Sequence, residues 1–105
     1  MELKIEMIRK ICRPENIEIT LHAAKRLEQR GIRLEDIMNC IMGGEIIEQY
    51  PTDYPYPSCL VLGVCMNHRF LHTVVGSDQE RIWIITAYYP DENKWSSDFR
   101  SRKEQ

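Results

Sequence analysis

The stretch RLEDIMNCIMGGEIIEQY, residues 33–50, changes its period part-way along. As far as Met42, the apolar residues Leu34, Ile37, Met38 and Ile41 recur at helical spacing. Glu35 and Asp36 fall in the first turn, where unpaired N–H groups favour negative charge, and Gly43 and Gly44 end the pattern. From Glu45 the segment EIIEQY reads as a strand. The spacing therefore predicts a helix over 34–42 that passes almost directly into a strand over 45–50, and the rest of the chain sorts on either side of this junction.

Upstream the signals are helical. MELKIEMIRKIC places Leu3, Met7, Ile8 and Ile11 on one face, which predicts a helix over about 2–12 closed by Pro14. NIEIT reads either as a short strand or as an extended lead-in. Thr20 is then a good N-cap for LHAAKRLEQR, and Gly31 suits the position after the last turn, giving a helix over 21–30. Downstream, strands are expected over 58–65, 69–75 and 80–89, with turns at PTDYPYP, MNH and GSDQ. Trp95 and Phe99, four residues apart, suit a last helical turn or a tail packed over the sheet edge. Helices followed by short-looped strands imply one α+β domain spanning 1–105, with N-terminal helices packed on a four-stranded antiparallel sheet over 45–89.

Composition narrows the classes of function. The chain has 105 residues, 43% hydrophobic and 29% charged, and contains neither an 18-residue apolar run nor an N-terminal signal pattern. A cytoplasmic protein without membrane association is expected. Cys12, Cys40, Cys59 and Cys65 form no Cys-x-x-Cys pair and sit among apolar neighbours, so they read as reduced buried thiols, with no metal site and no cofactor. A net charge of −2 argues against coating nucleic acid by bulk attraction. The charge is nonetheless segregated: residues 22–33 hold Lys25, Arg26, Arg30 and Arg33 against Glu28, whereas residues 45–58 hold Glu45, Glu48 and Asp53 with no basic residue.

On the helix over 21–30, Leu21, Ala23, Ala24 and Leu27 are expected on one arc, with His22, Lys25, Arg26 and Arg30 on the other. That second arc reads as a solvated charged face or as an anion site. His22 lies in the first turn, where free N–H groups disfavour a charged imidazole, so it suits a general base. In RIWIITAYYP, residues 81–90, strict alternation puts Ile82, Ile84, Thr86 and Tyr88 on one face and Trp83, Ile85, Ala87 and Tyr89 on the other. Pro90 ends the ladder and leaves the hydroxyls at a sheet rim. His72 shares a face with Phe70 and Val74 and reads as a hydrogen-bonded core residue or as a catalytic one. His68, in a turn, lies about 13 Å away along an extended chain, too far to share a metal ion with it.

The segments HAAKRLEQRGI, GEIIEQYPTDYPYPSCLVLG, LHTVV, IITAYYPDENKW and DFRSR, in that order, resemble a small toxin-like family catalogued as a domain of unknown function within the RelE/ParE-like superfamily. The likeness covers residues 19 to 102 and rests on His-x3-Arg-x3-Arg-Gly, Pro-Ser, His and Thr-Ala-Tyr-x-Pro. It implies N-terminal helices on an antiparallel sheet, and metal-independent ribonuclease activity as the toxin of a toxin–antitoxin pair. RNA, free or on the ribosome, would be the substrate, and an antitoxin encoded alongside the partner. Carried across by motif, His22, Arg26, Arg30, His72, Thr86 and Tyr88 would line the cleft. His22, His72 and Tyr88 form the expected catalytic set, and Arg26, Arg30, Thr86 and Arg100 the substrate-binding set. Such toxins are typically basic, and this chain is not. A second reading keeps the same domain as a catalytically idle binding module for a protein or nucleic acid, with both histidines structural.

Overall fold

In the computed structural model, which describes residues 1–104, the turn from helix to strand falls where the period changes. Helix α3, Leu34–Gly43, buries Ile37, Cys40 and Ile41, and strand β2, Glu45–Tyr50, follows one residue later. Helix α2, Leu21–Gln29, is capped as expected: the Thr20 side chain accepts from the Ala23 N–H, and Gly31 takes φ 68°. A residue with a side chain would be strained at that angle. The first helix is shorter than expected. Helix α1 is Ile5–Ile11, and Leu3 lies in the extended segment before it, buried, with its backbone N–H and carbonyl both bonded to the Gln49 side-chain amide.

The sheet has five strands and is mixed, which corrects the expected four-stranded antiparallel arrangement. Strands β3, Ser58–Val64, β4, Phe70–Ser77, and β5, Ile82–Tyr88, extend the meander begun by β2. The fifth is β1, Ile17–Ile19, which lies parallel to β5 at the sheet edge, giving the order β1-β5-β4-β3-β2. Three residues carry too little alternation to announce a strand; its existence follows from Ile17 and Ile19 packing against the core opposite Ile82 and Ile84.

Cross-strand partners share a face, so the register sorts the sheet. Cys59, Val61, Leu71, Thr73 and Val75 face the helices, and the approach is close: a Cβ on Gly63 would lie 2.3 Å from the Cys40 carbonyl oxygen. The opposite, outer face carries three rows: Glu45, Leu62, His72 and Tyr88; Glu48, Leu60, Val74 and Thr86; Tyr50, Ser58, Gly76 and Trp83. Leu62 therefore belongs to the outer face, while Leu27 and Ile84 are buried in the helix-side core.

A bulge revises the reading of β5. Val74 pairs with Thr86 but Val75 with Ile84, so Ile85 is an extra residue, 48% exposed. One inserted residue flips the alternation beyond it. Ile82, Ile84 and Ala87 join the helix-side core, while Trp83, Thr86 and Tyr88 lie outward. The apolar and hydroxylated halves of RIWIITAYYP thus occupy opposite faces instead of one. Tyr89 packs against the core, with the Arg69 guanidinium 3.6 Å from its ring centroid.

All four cysteines are free and buried, and burial pushes the Cys40 thiol up to about 11 and the Cys59 thiol up to about 12. Among the described residues no helix is long and apolar enough to cross a membrane.

Candidate functional site at the β5 rim

Strand β1 covers β5 only as far as Ile84, because the chain turns at Thr20 into α2. Beyond that point α2 itself runs along the β5 rim. Its buried residues are Ala23 and Leu27, with Arg30 half-buried, a stripe spaced four and three apart that faces the sheet. Leu21 and Ala24, expected in the apolar arc, are exposed, and Arg30, expected on the opposite arc, points inward. The helix is turned about its axis from the expected orientation.

That rotation delivers Arg30 to the hydroxylated rim. Its Nη1 donates to the Ala87 carbonyl at 2.9 Å and to the Thr86 hydroxyl at 3.2 Å. A guanidinium has five N–H donors in a fixed fork, and those on Nε and Nη2 have no partner among the described residues. Two residues further along the same face stands Tyr88, directly opposite His72.

His72 is completely buried and wedged between aromatic rings, edge-on to Trp95 at 4.4 Å and to Tyr88 at 5.3 Å. Its Nε2 lies 3.0 Å from the Phe99 carbonyl, which can only accept, so Nε2 carries the proton. In the neutral ring Nδ1 then holds the lone pair and accepts from the Tyr88 hydroxyl at 3.3 Å. Burial holds the imidazole below its ordinary value, opposed by the Phe99 hydrogen bond and the Glu48 carboxylate. Burial also pushes the Tyr88 phenol up, while Arg102 and Arg30 pull it down.

Since the folded imidazole binds its proton less tightly than the unfolded one, the unfolded chain takes up more protons in acid. Stability present above about pH 6.5 is expected to fall as the pH drops through that value toward the lower folded one. Denaturation at a series of pH values checks this. His72→Gln should flatten the loss below pH 6.5, and nitrogen NMR of the wild-type ring should place the lone pair on Nδ1. A ring protonated on Nδ1 alone would contradict the assignment.

The wedge over His72 comes from the segment after β5, laid across the outer face as a strap. Phe99 packs on Phe70 at 5.3 Å, Trp95 is buried, and a single bridge joins Trp95 to Arg102. Two arginines pin the strap to β2. Arg100 pairs with Glu45, and Arg102 grips Glu48 with a fork of 3.0 and 3.1 Å. Burial opposes ionisation of Glu48, yet hydrogen bonds from Arg102 and Tyr50 outweigh it and hold the carboxyl below its usual range. The segregated acidic charge of residues 45–58 is thus partly answered within the molecule.

Of the expected site residues, the structure gathers Arg30, Thr86, Tyr88 and His72. His22 and Arg26 are exposed on α2 with no side-chain hydrogen bond or ion pair to a described residue. Arg100 stands with Glu45 and Asp98 on the β2 side. Sequence reasoning did not count Glu48, Tyr50 or Arg102 among the site residues, taking Glu48 only as part of an acidic segment. The available signal was the pair of acids in β2, Glu45 and Glu48, matched by two arginines two residues apart in the tail, Arg100 and Arg102.

A family model described as "Domain of unknown function (DUF4258)" matches residues 19–89. The chain belongs to the DUF4258 family. No curated protein and no solved structure matches it. The DUF4258 match begins at Ile19, the last residue of β1, and takes in α2 and all of β5, and hence Arg30, His72, Thr86 and Tyr88, whereas Trp95, Phe99, Arg100 and Arg102 of the strap lie beyond it. The rim is therefore built from the DUF4258 segment, and its cover from residues C-terminal to that segment. Among the described residues of this DUF4258 chain, no three His, Cys, Asp or Glu side chains cluster to hold a metal ion.

Proposed function

We propose that the chain is a RelE/ParE-like toxin domain that cleaves RNA without a metal or other cofactor in the cytoplasm, and that an antitoxin encoded alongside it holds it inactive. The observation that carries this reading is the guanidinium of Arg30, fixed at the rim by Thr86 and Ala87 with donors to spare beside the Tyr88–His72 pair. Cleavage by the neighbouring 2′-hydroxyl requires a group to take its proton, a group to protonate the departing 5′-oxygen, and positive charge for the phosphorane. Arg30 supplies the charge and Thr86 a hydroxyl to hold the phosphate. Tyr88, held by His72 Nδ1, protonates the departing oxygen, and since His22 is exposed about 12 Å along α2 from Arg30, the 2′-hydroxyl proton passes to water.

Purified full-length protein should cut RNA in the presence of a chelator, leaving cyclic phosphate ends, and its expression without the partner should arrest growth. Intact RNA, both free and on ribosomes, would reject the enzyme.

A specific observation favours a second reading. His72 is wholly enclosed by the strap with both ring nitrogens engaged, as suits a structural histidine. The domain would then bind RNA or a protein partner without cutting, and the substitutions would alter affinity alone.

A further inference from the structure

At the start of α2, beside the Ile85 bulge that precedes Thr86, lies a recess of about 340 Å³ whose lining includes three aromatic rings. Tyr54, Tyr56, Trp83 and the bulged Ile85 line it, with Asp53 at its edge and Thr20 closing the α2 side. Tyr56 and Trp83 are stacked at 4.5 Å and 22°. Tyr54 is 94% exposed, a large ring with nothing over it. Three prolines, Pro51, Pro55 and Pro57, restrict the loop that carries the tyrosines. Gly76 lies beside Trp83 and lines the same recess. A Cβ there would meet Ile85 at 3.4 Å and Pro57 at 3.6 Å, ordinary contacts, so packing does not require glycine and its missing side chain leaves the recess open.

Planar walls suit a planar ligand. Asp53 adds direction: its Oδ2 accepts from the buried Ser58 hydroxyl, which fixes the carboxylate while leaving Oδ1 and further lone pairs available. An ionised carboxylate only accepts, so the matching ring carries donors on its edge. Guanine, with an imino and an amino N–H side by side, fits this requirement best, and uracil, with one N–H flanked by carbonyls, fits it least. Ile85 and Thr86 are consecutive, about 3.3 Å apart along the strand, so a nucleotide with its base in the recess has its phosphate within reach of Thr86 and Arg30.

We propose that this recess is a nucleobase site that selects guanine, stacked on the open Tyr54 ring beside the Tyr56–Trp83 stack and read by the Asp53 carboxylate. The proposal rests on the reading that the domain acts on RNA and gives that activity a base preference.

The test titrates the full-length chain with the four nucleoside 5′-monophosphates, and with inorganic phosphate alone, following tryptophan fluorescence. Trp95 is 4% exposed, so quenching by a ligand reports on Trp83. GMP should quench saturably, UMP weakly and phosphate not at all. Tyr54→Ala, at a side chain in full contact with water, should leave the fold intact and weaken GMP by about 5- to 150-fold. Asp53→Asn keeps an acceptor for Ser58 and should erase the preference for GMP over UMP. Equal binding of all four nucleotides, quenching indifferent to Tyr54→Ala, or no quenching at millimolar nucleotide would each overturn the proposal. Mononucleotides contain no scissile internucleotide bond, so GMP binding stands even if RNA is never cut. Cleavage of RNA without nucleotide binding would overturn the recess alone.

Discussion

Arg30→Ala is expected to slow RNA cleavage by about 10²–10³-fold, the usual consequence of removing a positioned donor from a developing negative charge. Arg30→Lys should recover only part of the rate, since an ammonium supplies charge but not the planar fork that both grips the rim and faces the phosphate. Tyr88→Phe should lower the rate by about 10²–10⁴-fold if its hydroxyl carries a proton. Arg30 also bonds the Ala87 carbonyl, so unfolding must be measured beside activity: a variant that is slow yet unfolds near the wild-type midpoint has lost chemistry and not structure. Wild-type cleavage by Arg30→Ala would remove the clamp, and the rim would need another cation.

Leu27→Ala should cost about 2–5 kcal/mol, a large part of the 5–15 kcal/mol typical of a domain. Only Ala23 and Leu27 of α2 are buried, so Leu27 carries nearly all the apolar contact that holds this helix against β5. Loosening it also withdraws Arg30 from Thr86. The variant should therefore lose activity at temperatures where the rest of the sheet is still folded, detectable as earlier hydrogen exchange in α2 than in β3 and β4. Uniform exchange would show that α2 does not open separately.

Those two residues also show what was legible in advance. Thr20 and Gly31 marked the ends of α2 because capping chemistry is local. Which of its arginines turns inward was not local: the choice between Arg26 and Arg30 depends on how the helix rolls on the sheet, and Leu21 and Ala24 gave a misleading apolar arc. Likewise β2 was found at its true limits from its strand-forming pattern, whereas the faces of β5 were misassigned beyond Ile84 because a single bulged residue reverses the alternation. β1 was left between strand and lead-in, since its pairing with β5 is parallel and distant and nothing within three residues announces it. The strap over His72 was half legible: Trp95 and Phe99 suggested a tail on the sheet, but their landing place depended on the register that sets His72 opposite Tyr88.

The parallel pairing of β1 with β5 has a consequence for the order in which the molecule is made. Ile17–Ile19 is synthesised early, but its partner Ile82–Ile84 emerges only after β2, β3 and β4 have all been translated. The meander of β2 to β5 closes through short loops, while β1 must close over the whole of that meander to dock, a slow, entropically unfavourable step. Helix α2 follows β1 directly, so it too settles after β5 has appeared. A nascent chain interrupted before Ile82 would contain α1, α2, α3 and most of the sheet, yet neither Thr86 nor Tyr88 for Arg30 to meet. Assembly of the rim is thereby deferred until β5 leaves the ribosome, and chains stopped short of it lack the rim altogether.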